Sequence, residues 1–237
     1  MIKQPHKAVI LLGFGSSRRS KACDGIALPP SAAENAAVQQ AVKEALAAGL
    51  KELIFVTSDS RTPVEEQFGG LDGGLAGARA ERVVVARQFA ARSLGHAVCG
   101  IRHLLEEKPF VLLLPEDMQG HGGSDSTARL LAAYRAGGGN LVAVGDEEVL
   151  RRDGSFAAAA TAAAGRYLLQ PAVLDALEEA PEAGLSGALL TIAEAWPLTA
   201  VPLAAAPQPV VPASEAPTLR APRPVALLAA AAPEAAD

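Results

Sequence analysis

The sequence predicts an α/β domain built on a doubly wound, mostly parallel sheet with helices on both faces. Short, continuous apolar runs recur along the chain, as is typical of strands that are buried on both faces of a parallel sheet. Helical patterns of about ten to sixteen residues separate these runs, and such spacing implies right-handed crossovers between neighbouring parallel strands. With 237 residues, half of them hydrophobic, the chain is long enough to enclose one sizeable core.

The first elements follow one another as strand, helix, strand. Residues 7–13 form an apolar run that ends in glycine and predict a buried strand. Residues 31–34 have the pattern of a capping box, which predicts a helix from about residue 32 to residue 48, ended by Gly49. Residues 51–57 are the second predicted strand. Residues 69–77 carry five glycines and predict a flexible loop.

The remaining elements continue the alternation to residue 200. Strands are predicted at 83–85, 109–114 and 140–144, and helices at 95–107, 124–135, 168–180 and 185–195. Pro171 interrupts the pattern of 168–180. Because doubly wound sheets bind their ligands at the carboxyl ends of the strands, candidate site residues are sought directly after each predicted strand.

A change of composition near residue 200 divides the chain into two parts. Residues 201–237 contain eight prolines and thirteen alanines and no glycine. Proline at this density removes amide donors and interrupts helices and sheets. We therefore predict one domain over residues 1–200 and a disordered, low-complexity tail over residues 201–237, either a docking segment for a partner or a featureless extension.

Charge and cysteine usage exclude several classes of protein. The net charge is −5, from 26 acidic and 21 basic residues, and no basic stripe is present that would track a nucleic acid. No segment approaches the ~20 apolar residues of a membrane span, and the apolar run at residues 8–12 is too short to predict a signal sequence. Cys23 and Cys99 lie far apart without metal-ligand spacing, which predicts reduced thiols in a cytoplasmic protein.

The residues after the first strand are candidates for contact with a phosphate. Gly13 and Gly15 allow the backbone to approach an anion closely, and Ser16 adds a hydroxyl. Arg18 and Lys21 supply positive charge. The segment matches neither a dinucleotide fingerprint nor a P-loop. From the residues alone, phosphate binding and an ordinary tight turn remain equally open.

Two further segments carry candidates of the same kind. Glu116 and Asp117 follow the predicted strand at 109–114, where two carboxylates can hold Mg²⁺ or simply form a solvated acidic turn. Leu94 and Gly95 stand where a helix begins, so the amides there could cradle an anion, or Gly95 could permit close packing. Both alternatives stay open in each case.

Together these segments resemble the bacterial UTP–glucose-1-phosphate uridylyltransferases, which are sugar nucleotidyltransferases. Arg87-Gln88 followed by Leu94-Gly95-His96-Ala97-Val98 is the most specific part of the resemblance. The other matching blocks occur in the same order as in the family and lie at residues 7–10 with Gly13 and Gly15, 44–49, 53–57, 109–117 and 165–169.

The resemblance implies a Rossmann-like domain that joins UTP to glucose 1-phosphate with the help of Mg²⁺, giving UDP-glucose and pyrophosphate. By position, Gly13, Gly15 and Ser16 would hold the nucleotide phosphates, and Gln88 would contact the uracil edge. Leu94 and Gly95 would shape the pocket for base and ribose. Glu116 or Asp117 would face the metal.

Several family elements are missing. Ser17 stands in the place of the family's arginine, and residues 23–27 contain no equivalent of its phosphate-binding lysine, so Arg18 and Lys21 are the substitutes predicted for catalysis. Glu116 replaces the metal-facing aspartate. No Glu-Lys-Pro element lies between residues 144 and 165, and residues 186–192 lack the carboxylates of the family's sugar-site motif.

Three hypotheses about function follow from the resemblance and these departures. The chain could be an active uridylyltransferase, a pseudoenzyme that retains a site for UTP or UDP-glucose, or a structural remnant without a ligand. The second is the main prediction. It includes a poor site for glucose 1-phosphate and either a homo-oligomer or association with a true family enzyme, whose activity the chain would then regulate.

Overall fold

A computed structural model describes residues 4–12, 32–57, 80–88, 93–118, 123–145, 155, 159 and 163–203. Across these ranges, seven strands form one sheet in the order β3-β2-β1-β4-β6-β5-β7. The strands are β1 (Lys7–Leu12), β2 (Glu52–Thr57), β3 (Arg82–Arg87), β4 (Phe110–Leu113), β5 (Asn140–Val144), β6 (Ala163–Leu169) and β7 (Leu198–Pro202).

The sheet is mostly parallel, as the sequence predicts. From β1 the chain adds β2 and β3 on one side and β4 on the other, all in parallel register. Strand β6 runs antiparallel between β4 and β5 and so is the one reversed member among the described strands. Strand β7 pairs in parallel with β5 and forms the far edge.

Helices cover both faces of the sheet, which confirms the predicted architecture. They are α1 (Ala32–Ala47), α2 (Leu94–Cys99), α3 (Arg102–Leu105), α4 (Pro115–Met118), α5 (Ser126–Gly137), α6 (Ala172–Glu179) and α7 (Gly184–Thr191). Apolar residues of α2, α3, α6 and α7 pack on one face of the sheet. Those of α1, α4 and α5 pack on the other.

Two predicted helices differ from the observed elements. The predicted helix at 95–107 is divided into α2 and α3, and the chain then turns into β4 through Glu106 and Glu107, which both have positive φ. The prediction of helix from residue 168 was wrong, because Leu168 and Leu169 lie in β6 and the helix begins only after Pro171. Short apolar runs fit a buried strand and a buried helix equally well, and pairing with β4 decided this one.

Strand β7 was not predicted from the sequence. It spans Leu198–Pro202 and is followed by the buried Leu203, so the sheet continues past residue 200, where the tail was predicted to begin. Its flanking prolines hide the strand signal, although Pro202 is tolerated at the end of an edge strand. The helix predicted at 185–195 is α7, which ends at Thr191. The predicted loop at 69–77 and the tail from residue 204 onward lie outside the described residues.

Among the described helices, none combines the length and the hydropathy needed to cross a bilayer.

Candidate functional site

The carboxyl ends of four neighbouring strands meet at one edge of the sheet. Leu12 pairs with Thr57, and Thr57 pairs with Arg87, so β1, β2 and β3 end at the same level. Leu113 pairs with Ile10, which places the segment after β4 beside the end of β1. This edge therefore brings Gln88 and the acidic pair, Glu116 and Asp117, to the two sides of β1.

The predicted phosphate-contacting residues follow β1 directly. Gly13, Gly15, Ser16, Arg18 and Lys21 all lie outside the described residues. Their predicted roles remain predictions, but the strand that precedes them ends between the strands that carry Gln88 and the acidic pair.

Gln88 is held at the edge by its backbone and by its side chain. Its backbone N–H donates to the carbonyl oxygen of Thr57 at 2.9 Å. Its side-chain Nε2 donates to the carbonyl oxygen of Ala97 in α2 at 3.0 Å. This bond fixes the orientation of the Gln88 amide, because the carbonyl oxygen of Ala97 can only accept a hydrogen bond and must therefore face the NH₂ group rather than Oε1. Among the described residues, none donates a hydrogen bond to Oε1 of Gln88.

The start of α2 is ordered by a side-chain cap and by close packing. The Oγ atom of Ser93 accepts a hydrogen bond from the backbone N–H of His96 at 3.1 Å, which satisfies one of the donors at the helix start. Gly95 is buried, and a Cβ atom at this position would lie 2.7 Å from Cδ2 of Leu177 in α6. The geometry therefore supports the packing alternative for Gly95. Leu94 is half-buried and packs against the same core.

Glu116 and Asp117 lie in α4, a single helical turn that begins directly after β4 with Pro115. Their side chains are half-buried. The backbone N–H groups of Asp117 and Met118 both donate to the carbonyl oxygen of Leu114, at 3.0 and 3.1 Å. These bonds fold the acidic pair back over the end of the strand. The two carboxyl groups thus lie on a hydrogen-bonded turn at the edge of the sheet.

Gly165 of β6 supports this acidic turn from beneath. Its carbonyl oxygen accepts a hydrogen bond from the N–H of Leu114 at 2.8 Å, and its φ is +69°. A Cβ atom here would lie 2.7 Å from the carbonyl oxygen of Leu114 and 2.9 Å from the nitrogen of Met118. Only glycine provides both the left-handed conformation and the space for the turn.

Tyr167, two residues further along β6, lies close enough to Asp117 to be affected by its charge. Burial raises the pKa of Tyr167 to about 12, and the negative charge of Asp117 contributes in the same direction. The phenol is therefore neutral at physiological pH and remains a hydrogen-bond donor near the acidic turn.

Between Gly165 and Tyr167, Arg166 carries a charge that the sequence analysis did not identify as important. Its Nε and Nη2 atoms donate to the two carboxylate oxygens of Glu44 in α1, at 2.8 and 2.7 Å, and both side chains are fully buried. The Nη1 atom donates to the carbonyl oxygen of Ala164 at 2.7 Å. One signal was available, since an arginine within an otherwise apolar strand needs a partner when it is buried.

The donor set at the edge is compatible with Mg²⁺. Among the described residues, no three His, Cys, Asp or Glu side chains lie close enough together to hold a metal ion by themselves. Mg²⁺, however, is commonly held by one or two carboxylates together with substrate phosphates and water. Glu116 and Asp117 supply that number of carboxylates.

Comparisons with known proteins agree with the resemblance seen in the residues. No family model matches the chain. A UTP–glucose-1-phosphate uridylyltransferase from Pseudomonas aeruginosa is 29% identical over 118 residues, covering 41% of this chain and 42% of that protein. The enzyme of the same name from Klebsiella pneumoniae is 31% identical over 117 residues, covering 42% of this chain and 39% of the enzyme. The matched part thus spans about two fifths of these relatives.

The fold comparison extends over more of the chain. A UTP-bound UDP-glucose pyrophosphorylase from Acinetobacter baumannii superposes with a TM-score of 0.59 at 21% identity, over 86% of each chain. At 21% identity, this superposition shows that the two chains share a fold and carries no statement about activity. In its residue blocks the chain is thus similar to bacterial UTP–glucose-1-phosphate uridylyltransferases, and in its sheet it is similar to a UDP-glucose pyrophosphorylase.

Proposed function

We propose that this chain binds a uridine nucleotide with Mg²⁺ at the carboxyl edge of its sheet and has lost most or all of the transferase activity of its relatives. The observation that carries the proposal is the held amide of Gln88. Its Nε2 donates a hydrogen bond to the carbonyl oxygen of Ala97, and no described residue donates a hydrogen bond to its Oε1.

The chemistry of Gln88 suits uracil. The N3–H group of uracil is a donor, and Oε1 is an acceptor that is already fixed in place. In cytosine, N3 is an acceptor, so the same oxygen would meet a lone pair. A buried polar group left unpaired by the wrong ligand is what gives a site its discrimination.

The spacing of the edge suits a nucleotide. Three inter-strand steps, about 14 Å, separate β3, which leads to Gln88, from β4, which leads to the acidic turn. An extended nucleoside phosphate can bridge that distance, with the base at Gln88 and the phosphates between β1 and the acidic turn. Bound there, Mg²⁺ would neutralise charge on the phosphate oxygens.

Departures from the family pattern in the sequence support the proposed loss of activity. Residues 23–27 contain no equivalent of the family's phosphate-binding lysine and carry Asp24, whose negative charge would repel a triphosphate nearby. Removing one preorganised contact to a developing charge costs about 2.7–4 kcal/mol in the barrier. In addition, no Glu-Lys-Pro element, which is part of the family's sugar section, lies between residues 144 and 165, and this supports poor binding of glucose 1-phosphate.

Calorimetry tests the binding half of the proposal. With Mg²⁺ present, UTP is expected to bind the full chain, and Gln88→Ala is expected to weaken it about tenfold, as for the loss of one hydrogen bond to the base. Gln39→Ala, at an exposed position of α1, is the matched control and should bind as the unaltered chain does. Failure of the unaltered chain to bind UTP or UDP-glucose would favour a structural remnant.

A pyrophosphate-release assay with UTP, glucose 1-phosphate and Mg²⁺ tests the other half. The Pseudomonas aeruginosa relative serves as the positive control. We expect the chain to be slower by at least about a thousandfold, since more than one contact to the transition state is missing. Turnover equal to that of the relative would contradict the pseudoenzyme hypothesis and establish an active uridylyltransferase.

A further inference from the structure

We propose that Gly100 determines the base specificity of the nucleotide site, because its missing side chain is what allows Gln88 to present Oε1 to the ligand. The inference rests on the proposed function and adds a residue that the sequence analysis did not identify. Gly100 lies at the end of α2, outside every block that carries the resemblance.

The backbone of Gly100 does not require glycine. Its φ of −60° and ψ of −19° are ordinary right-handed values, which alanine adopts without strain. Its N–H group donates to the carbonyl oxygen of His96 at 3.0 Å, as in any helix end. The reason for glycine at this position must therefore be space rather than conformation.

The space is occupied by the amide of Gln88. A Cβ atom at Gly100 would lie 2.5 Å from Nε2, 2.6 Å from Oε1 and 2.7 Å from Cδ of Gln88. All three contacts are to the amide group, so the amide lies flat against the Cα atom of Gly100. The bond from Nε2 to Ala97 then fixes its rotation.

Contact with the amide group of Gln88 distinguishes Gly100 from the other closely packed glycines. The neighbours of Gly95 and Gly165 are an apolar side chain and the backbone of a turn. Gly100 alone among the glycines of the described ranges meets the polar end of a candidate site residue. Adding a methyl group would push the amide away from Ala97 and free it to rotate. A freely rotating amide can offer either its oxygen or its nitrogen, and so it would accept uracil and cytosine nearly alike.

Gly100→Ala tests the inference without a fold penalty. The backbone already suits alanine, and the gain from a less flexible unfolded chain offsets the loss of the hydrogen bond to Ala97, so thermal unfolding should occur near the temperature of the unaltered chain. Calorimetry with UTP and CTP gives the ratio of the two dissociation constants. We expect that ratio to fall about tenfold in Gly100→Ala, through weaker binding of UTP.

Two controls separate positioning from general disturbance. Gly123→Ala adds the same methyl group where the nearest contact is Oδ1 of Asp125 at 3.3 Å, and it should keep the ratio of the unaltered chain. In nucleotide-free protein, the side-chain NH₂ resonances of Gln88, assigned by comparison with Gln88→Ala, should shift in Gly100→Ala and stay in place in Gly123→Ala.

The outcomes are distinguishable. If the unaltered chain prefers UTP and Gly100→Ala keeps that preference, the inference is wrong and the proposed function stands. Unmoved Gln88 resonances in Gly100→Ala would also overturn it. If the unaltered chain binds neither nucleotide, the proposed function fails and the specificity claim fails with it.

Discussion

Arg166 of β6 and Glu44 of α1 form a two-bond ion pair in which neither side chain is accessible to solvent. Thr127 of α5 adds a hydrogen bond from its hydroxyl to Oε2 of Glu44 at 3.2 Å. The pair thus joins α1, which follows the predicted phosphate loop, to the strand that supports the acidic turn.

The first prediction concerns this ion pair. Glu44→Gln leaves the guanidinium of Arg166 buried without a countercharge and should lower the free energy of unfolding by about 3–5 kcal/mol. The paired replacement of Glu44→Gln with Arg166→Met removes the orphaned charge and should cost less than Glu44→Gln alone. Urea unfolding of the three proteins measures both. If the paired variant were less stable than Glu44→Gln alone, the prediction would be wrong, because Arg166 would then stabilise the fold even without the charge of Glu44.

The second prediction concerns Gly165. Gly165→Ala should lower the free energy of unfolding by more than Gly184→Ala, because both glycines have positive φ but a Cβ atom at Gly184 meets nothing within 4 Å. The shared cost of the conformation is about 1 kcal/mol. The excess in Gly165→Ala measures the contact with the acidic turn. Equal losses in urea unfolding would mean that the turn moves aside freely.

The third prediction concerns Gly95. Gly95→Ala should destabilise the chain because its methyl group would overlap Leu177, and overpacking of this kind costs about 1–3 kcal/mol. The same substitution made in a Leu177→Ala background should cost less, since the cavity accepts the methyl group. Unfolding of the four proteins in this cycle gives the coupling energy. Additive losses would exclude packing as the reason for glycine at this position.

The fourth prediction concerns acid stability. Two hydrogen bonds, the more effective from Lys108 and the other from Lys7, lower the pKa of Glu106 to about 2. Because this folded-state pKa lies below the ordinary value of 4.5, the carboxylate stabilises the fold above pH 4.5, and its contribution is lost as the pH falls toward 2.

Glu106→Gln should accordingly flatten the decrease in stability across this window while leaving the rest of the pH profile unchanged. Glu182→Gln is the matched control, since Glu182 is exposed and makes no ion pair with a described residue. Urea midpoints measured from pH 6 to pH 2.5 provide the comparison. A profile for Glu106→Gln that is as steep as that of the unaltered chain would refute the assignment.

The fifth prediction uses Tyr167 to report on Asp117. The chain has two tyrosines, and absorbance at alkaline pH should show Tyr167 ionising at a pKa of about 12. Asp117→Asn removes a negative charge and should lower this pKa, whereas Glu182→Gln should not. Titration of a Tyr134→Phe background isolates the signal. An unchanged pKa in Asp117→Asn would place the carboxylate further from the phenol than the structure does.

Much of the fold could be predicted from local patterns. Strands β1, β2, β4 and β5 are apolar runs with turn residues near their ends, and α1 has its cap in the sequence. The reversed strand β6 could not be predicted, because Leu168 and Leu169 suit a helix as well as a strand. Strand β7 was hidden by its prolines, and only its pairing with β5 shows it.

The candidate site was predicted less completely. The resemblance led to Gln88, and the position after a predicted strand led to Glu116 and Asp117; the sheet brings all three to one edge. The sequence did not lead to Gly100 or Arg166. Their partners, Gln88 and Glu44, lie 12 and 122 positions away, so no local pattern carries the relationship.

The sequence by itself determined the mostly parallel sheet and the blocks of residues that resemble the uridylyltransferases. Those features depend on residue type and local order. Only the tertiary structure decided the direction of β6, the seat of the Gln88 amide on Gly100 and the partner of Arg166. Each of these depends on which residues, distant in the sequence, pack against one another in the folded chain. Because the contacts are close-packed or buried, changing them costs stability.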